Sequence, residues 1–167
     1  MITLVIGGVR SGKSELGARL AARLGEPVTV VVPTTFPTDP DLAARVRAHQ
    51  TRRPDTWTTV ECGAALPATL AATAGPVLVD SLGTWVAESP GFDVDAPALL
   101  GALATRAGST VLVTEEVGLA VHPPTESGRR FADALGALNT EVAAIADEAL
   151  LTVAGLVVPL QRPDGGG

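Results

Sequence analysis

The stretch ITLVIGGVRSGKS, residues 2–14, decides the architecture. Residues 7–14, GGVRSGKS, satisfy G-x-x-x-x-G-K-[ST], a pattern that alone carries a real false-positive risk. The flanks supply the context it needs. Residues 2–6 read as a short buried strand that ends where the glycines begin. Beyond Ser14, Leu16, Leu20 and Leu24 recur at helical spacing until Gly25 stops the helix. Gly7, Gly8 and Gly12 let the backbone curl around a polyphosphate, so that N–H groups along Val9, Arg10 and Ser11 turn inward. Lys13 is then placed to reach the β- and γ-phosphates as a catalytic cation, and the Ser14 hydroxyl to bind Mg²⁺.

Outward from this loop the pattern alternates. Strands are expected at residues 28–32, 76–80, 109–114 and 150–153, with a possible last one at 156–160. Asp39 as N-cap and Pro40 at the first helical position open a helix to about Gln50. Residues 64–73 and 97–106 are weaker, alanine-rich helices. Phe131, Leu135, Leu138, Val142 and Ile145 form the most sustained apolar stripe. Strands alternating with helices predict an α/β fold, a mostly parallel sheet covered on both faces in three layers. Residues 1–162 read as a single domain and 163–167 as a flexible tail, with residues 89–95 a surface loop.

Composition narrows the function. Apolar residues are 46% of 167, enough for a sizeable core and too many for a disordered chain. No apolar run approaches the roughly 20 residues of a membrane span, and the N-terminus lacks a secretory pattern, so a cytoplasmic location is expected. Eighteen acids outweigh twelve bases, and there are three Phe, two Trp and no Tyr. That argues against nucleic acid as a partner, which needs clustered cations and stacking platforms. Lys13 is the only lysine, and Cys62 the only cysteine, which excludes an intrachain disulfide.

Three further sites carry open readings. Asp80 ends the strand PVLVD, where it can hold Mg²⁺ at the phosphates or simply cap a turn. Glu115 and Glu116 end the next strand on the same expected edge, as ligand-binding groups or as solvated charges. His49 lies in RVRAHQTRRPDTW, residues 45–57, among four arginines. Leu42, Val46 and His49 share one helical face, so His49 borders a buried stripe with cations beside it. Those cations would keep its imidazole neutral, as a nucleophile requires, yet spacing alone favours a structural histidine. His122, in VHPP, is assigned no role.

The chain resembles the bifunctional adenosylcobinamide kinase/adenosylcobinamide-phosphate guanylyltransferase family over nearly its whole length. GGVRSGKS is similar to that family's GGARSGKS loop, and AARVRAHQTRRPDTWTTVE to its AxRIxxHxxxRPxxWxTxE segment. VDSLGTWVAE resembles DCLTLWVxN, and VLVTEEVG, with GALNTEVAAIAD, resembles VLVTNEVG and GxLNQxxAxxAD. The resemblance implies a P-loop NTPase, RecA-like fold that phosphorylates adenosylcobinamide with ATP or GTP. It also implies transfer of GMP from GTP to the corrinoid phosphate through a GMP–histidine intermediate, for which His49 is the matching residue. By the same matching, Pro33, Thr34, Thr35, Gln50, Thr51, Arg52, Arg53, Glu61 and Asp80 line the guanine-nucleotide site, and the assembly is a homotrimer.

The chain departs from the family pattern at Glu88 and Glu115, each replacing Asn, at Ala132, replacing Arg, and at Thr140, replacing Gln. These positions bear on corrinoid recognition and on the balance of the two activities. Two added carboxylates near a phosphate-handling edge are expected to weaken anion binding there. The competing readings are a simple P-loop small-molecule kinase or NTPase that does not use His49, and a nucleotide-binding relative with reduced catalysis.

Overall fold

The computed structural model describes residues 1–34, 54–119 and 121–162. The helix expected over residues 39–50, His49 with it, and the 163–167 tail lie outside the described residues. In chain order the elements are β1 (Ile2–Gly7), α1 (Lys13–Ala22), β2 (Thr29–Val32), β3 (Thr58–Glu61), α2 (Leu66–Ala72) and β4 (Val77–Asp80). They continue with α3 (Leu82–Glu88), α4 (Ala96–Thr105), β5 (Thr110–Glu115), α5 (Glu126–Ile145), β6 (Glu148–Val153) and β7 (Leu156–Leu160).

The strands form one sheet in the order β3-β2-β4-β5-β1-β6-β7. Neighbours pair in parallel except β7, which returns antiparallel to β6. Period-2 alternation divides the core cleanly. Leu4, Val31, Val77, Val79 and Leu112 face α2 to α5 and pack with Leu70, Trp85, Leu99 and Leu135. Val5, Val30, Leu78, Val111 and Val113 face the other way, onto Leu16 and Ala21 of α1. Central strands buried on both faces are the reason their sequences are unbroken apolar runs. The expected three-layer α/β P-loop architecture is therefore the one observed.

Two elements have no counterpart in the sequence expectations. β3 pairs with β2 along the sheet edge, and Thr58, Thr59 and Glu61 on it are exposed, so it shows no apolar signature. α3 is only seven residues long; it starts at Ser81, whose side chain accepts from Thr84 N, and buries Leu82, Trp85 and Val86. The expected 64–73 helix is a 3-10 turn over Gly63–Ala65 followed by α2. In the 89–95 loop Phe92 packs edge-on against Phe131, with ring centroids 5.6 Å apart.

At the sheet edge away from the glycine-rich loop, Arg106 joins three elements. Its guanidinium donates to Thr73 O at 3.0 Å, Gly75 O at 2.8 Å, Gly108 O at 3.0 Å, Ser109 O at 3.2 Å and Thr110 Oγ1 at 2.6 Å. Burial lowers its pKa from the ordinary arginine value, but it stays charged at any working pH. Only a planar fork can serve acceptors on both sides at once. Arg106→Ala should therefore lower unfolding free energy by about 2–3 kcal/mol, because several acceptors lose their donor together. Urea unfolding checks this: the midpoint falls with an unchanged m-value, and Arg106→Lys recovers only part of it.

Candidate active site

The parallel strands all end at one edge, and that edge gathers the residues singled out from the sequence. β1 delivers Gly7 opposite Glu115 of β5, and β5 lies between β1 and β4, which ends at Asp80. Further along, β2 runs into buried Pro33 and Thr34, and β3 ends at Glu61, paired with Val32. Pro33, Thr34, Glu61, Asp80 and residues 7–14 thus share an edge. Thr35, His49, Gln50, Thr51, Arg52 and Arg53 lie outside the described residues.

The loop between β1 and α1 is shaped to hold an anion. Gly12 enters α1 at φ +95°, ψ 5°, in the left-handed region that favours glycine. No side chain caps the first amides of α1. Each of α3, α4 and α5, by contrast, is capped, by Ser81, Asp95 and Thr125. The free N–H groups and the positive helix end at Lys13 are what a phosphate would satisfy. Ser11 is buried and its hydroxyl has no partner. Its carbonyl accepts from Gly155 N at 2.9 Å, so the β6–β7 turn braces the loop.

Lys13 Nζ turns back over this loop. It donates to Gly8 O at 3.3 Å and lies 3.6 Å from Glu115 Oε1. The Glu115 carboxylate in turn accepts from Ser81 Oγ, 3.2 Å from either oxygen. Asn139 on α5 fixes the strand end: its Nδ2 donates to Glu115 O at 2.9 Å, and its Oδ1 accepts from Thr114 Oγ1 at 2.7 Å. Glu116 faces differently, its carboxylate accepting from Gly118 N and Leu119 N within its own loop. Of the two acids left open by the sequence, Glu115 is therefore the one at the phosphate loop. Glu88 is engaged as well, accepting from Thr34 Oγ1. Sequence reasoning marked both acids as departures but named neither partner, and it missed Ser81 and Asn139.

Ser14 at the start of α1 and Asp80 at the end of β4 supply the hard oxygen donors that suit Mg²⁺. Among the described residues no group of three or more His, Cys, Asp and Glu could hold a metal unaided. Cys62 follows β3, half-buried; burial pushes its thiol pKa up, which keeps it a poor nucleophile. A cavity of about 620 Å³ opens between α5 and the strand ends, lined in part by Ile6, Glu116, Arg129 and Leu151. Ala132 and Thr140, two of the departures, also line it.

Among the described residues no helix is long and apolar enough to cross a membrane. The fold is shared with the ATPase of a type III secretion system of pathogenic bacteria. That likeness has a TM-score of 0.58 at 12% identity over 90% of this chain and 50% of that one, a likeness of fold alone. Sequence relatives are nearer. The bifunctional adenosylcobalamin biosynthesis protein CobP of Pseudomonas aeruginosa is 38% identical over 170 residues, which is 96% of this chain and 98% of that protein. The bifunctional adenosylcobalamin biosynthesis protein CobU of Salmonella typhimurium is 31% identical over 184 residues, covering 96% of this chain and 100% of that protein. The model of the cobinamide kinase / cobinamide phosphate guanyltransferase family matches residues 3–160, and the chain belongs to that family.

Proposed function

We propose that the protein phosphorylates adenosylcobinamide and then transfers GMP from GTP to the adenosylcobinamide phosphate, giving adenosyl-GDP-cobinamide. The observation that carries this reading is the family match over residues 3–160 combined with an uncapped phosphate loop bearing Lys13. In the first reaction the loop amides and Lys13 bind and orient the transferred phosphoryl group, with ATP or GTP as donor. Ser14 and Asp80 would hold Mg²⁺, which supplies charge neutralisation at the phosphates.

In the second reaction a ring nitrogen of His49 forms a bond to the α-phosphorus of GTP, and pyrophosphate leaves. The phosphate of the corrinoid then attacks the same phosphorus, the N–P bond breaks, and the imidazole is regenerated. Splitting the transfer this way is ordinary nucleophilic catalysis. Pro33, Thr34, Thr35, Gln50, Thr51, Arg52, Arg53, Glu61 and Asp80 line the nucleotide in this reading, with Arg52 and Arg53 on its phosphates. Residues 1–162 act as one catalytic domain of a cytoplasmic homotrimer.

A second reading, a kinase without guanylyl transfer, draws support from Glu88. Its carboxylate occupies the hydroxyl of Thr34, one of the residues assigned to the nucleotide. Product analysis separates the two. With adenosylcobinamide, Mg²⁺ and GTP, mass spectrometry should find both the phosphate and the GDP derivative. His49→Ala should stop at the phosphate, and Lys13→Ala should slow phosphorylation on the order of 10²-fold or more, the loss typical of a preorganised charge stabiliser. Wild-type product that stops at the phosphate would favour the simple kinase.

A further inference from the structure

The phosphate-binding lysine is already paired. Lys13 Nζ and Glu115 Oε1 are 3.6 Å apart, with side-chain exposures of 13% and 31%, so solvent only partly screens the attraction. Both the carboxylate and the backbone that carries it are held. Ser81 Oγ donates to it, Asn139 fixes the Glu115 carbonyl, and Glu116 N donates to Gly7 O at 3.2 Å. Gly83 makes the room. A Cβ at that position would fall 1.8 Å from Glu115 Oε2 and 2.8 Å from its Cδ, so any larger residue displaces the carboxylate. Glu115 is thus a built part of the loop's surroundings.

An arriving triphosphate must compete for Lys13 with this carboxylate. It must also accept Glu115, and Asp80 one strand away, as negative neighbours. A bare triphosphate gains the lysine but adds repulsion; one neutralised by a divalent cation does not. We propose that Glu115 makes nucleotide binding conditional on the divalent cation: it occupies Lys13 in the empty site and releases it to a metal-bound triphosphate while discriminating against the metal-free form. This rests on the reading of residues 7–14 as the nucleotide loop.

Calorimetric titration of the full chain with GTP, in excess Mg²⁺ and in EDTA, tests it. Wild type should bind GTP far more weakly in EDTA. Glu115→Gln keeps an acceptor for Ser81 without the charge, and should tighten EDTA binding about tenfold or more, narrowing the gap between the two conditions. Glu115→Asp, which keeps the charge, should retain weak EDTA binding. Retained Mg²⁺–GTP binding shows that each variant is folded. Unchanged EDTA affinity in Glu115→Gln overturns the proposal, including the case where only Mg²⁺–GTP binding weakens. A wild-type protein that binds neither GTP nor ATP in either condition overturns the nucleotide-loop reading itself.

Discussion

The parallel register that sets Gly7 opposite Glu115 is the constraint on which the rest of the site depends. β1 is held between β5 and β6, and both neighbours contribute beyond it. β5 puts a carboxylate beside the glycine-rich loop, and the β6–β7 turn braces the loop through Gly155 and Ser11. A slip of one residue would exchange the two faces of β1, bringing Val5 rather than Leu4 against α5. The hydrophobic pattern therefore fixes the register, and the register fixes the chemistry at the edge.

That edge concentrates negative charge where an anion is to be handled. Asp80, Glu88, Glu115 and Glu116 all lie on or near it, with Lys13 and Arg10 of the loop as cations among the described residues. Three of these acids have distinct engagements: Glu115 with Lys13 and Ser81, Glu88 with Thr34, Glu116 with its own loop amides. The chain keeps the family's phosphate loop while changing what surrounds it. The bifunctional transferase chemistry of the family is thus set here beside carboxylates at Glu88 and Glu115.

The sequence made the loop legible because its constraints are local: glycines, a lysine and a helix follow one another within a few residues. The α5 stripe was legible because Leu135, Leu138 and Val142 recur on one buried face of a long helix, although Phe131 is only partly buried and Ile145 is exposed. β3 was not, since an edge strand of Thr58, Thr59 and Glu61 carries no apolar alternation. α3 was not, since seven residues give barely two turns and Ser81 caps them without a long periodic run. The Lys13–Glu115 contact is a long-range product of strand order, and spacing along the chain cannot reveal it. The role proposed for His49 rests on the resemblance; periodicity expects it at a helix border and goes no further.

Guanylyl transfer through His49 requires GMP to become attached to the protein. The most direct measurement is incubation with Mg²⁺ and α-labelled GTP, followed by denaturation and counting of bound label. Guanylyl transfer through His49 predicts label on the wild-type chain that acid releases and alkali does not, as for a phosphoramidate, and none on His49→Ala. A folded wild-type protein that binds GTP yet retains no label would contradict guanylyl transfer through His49.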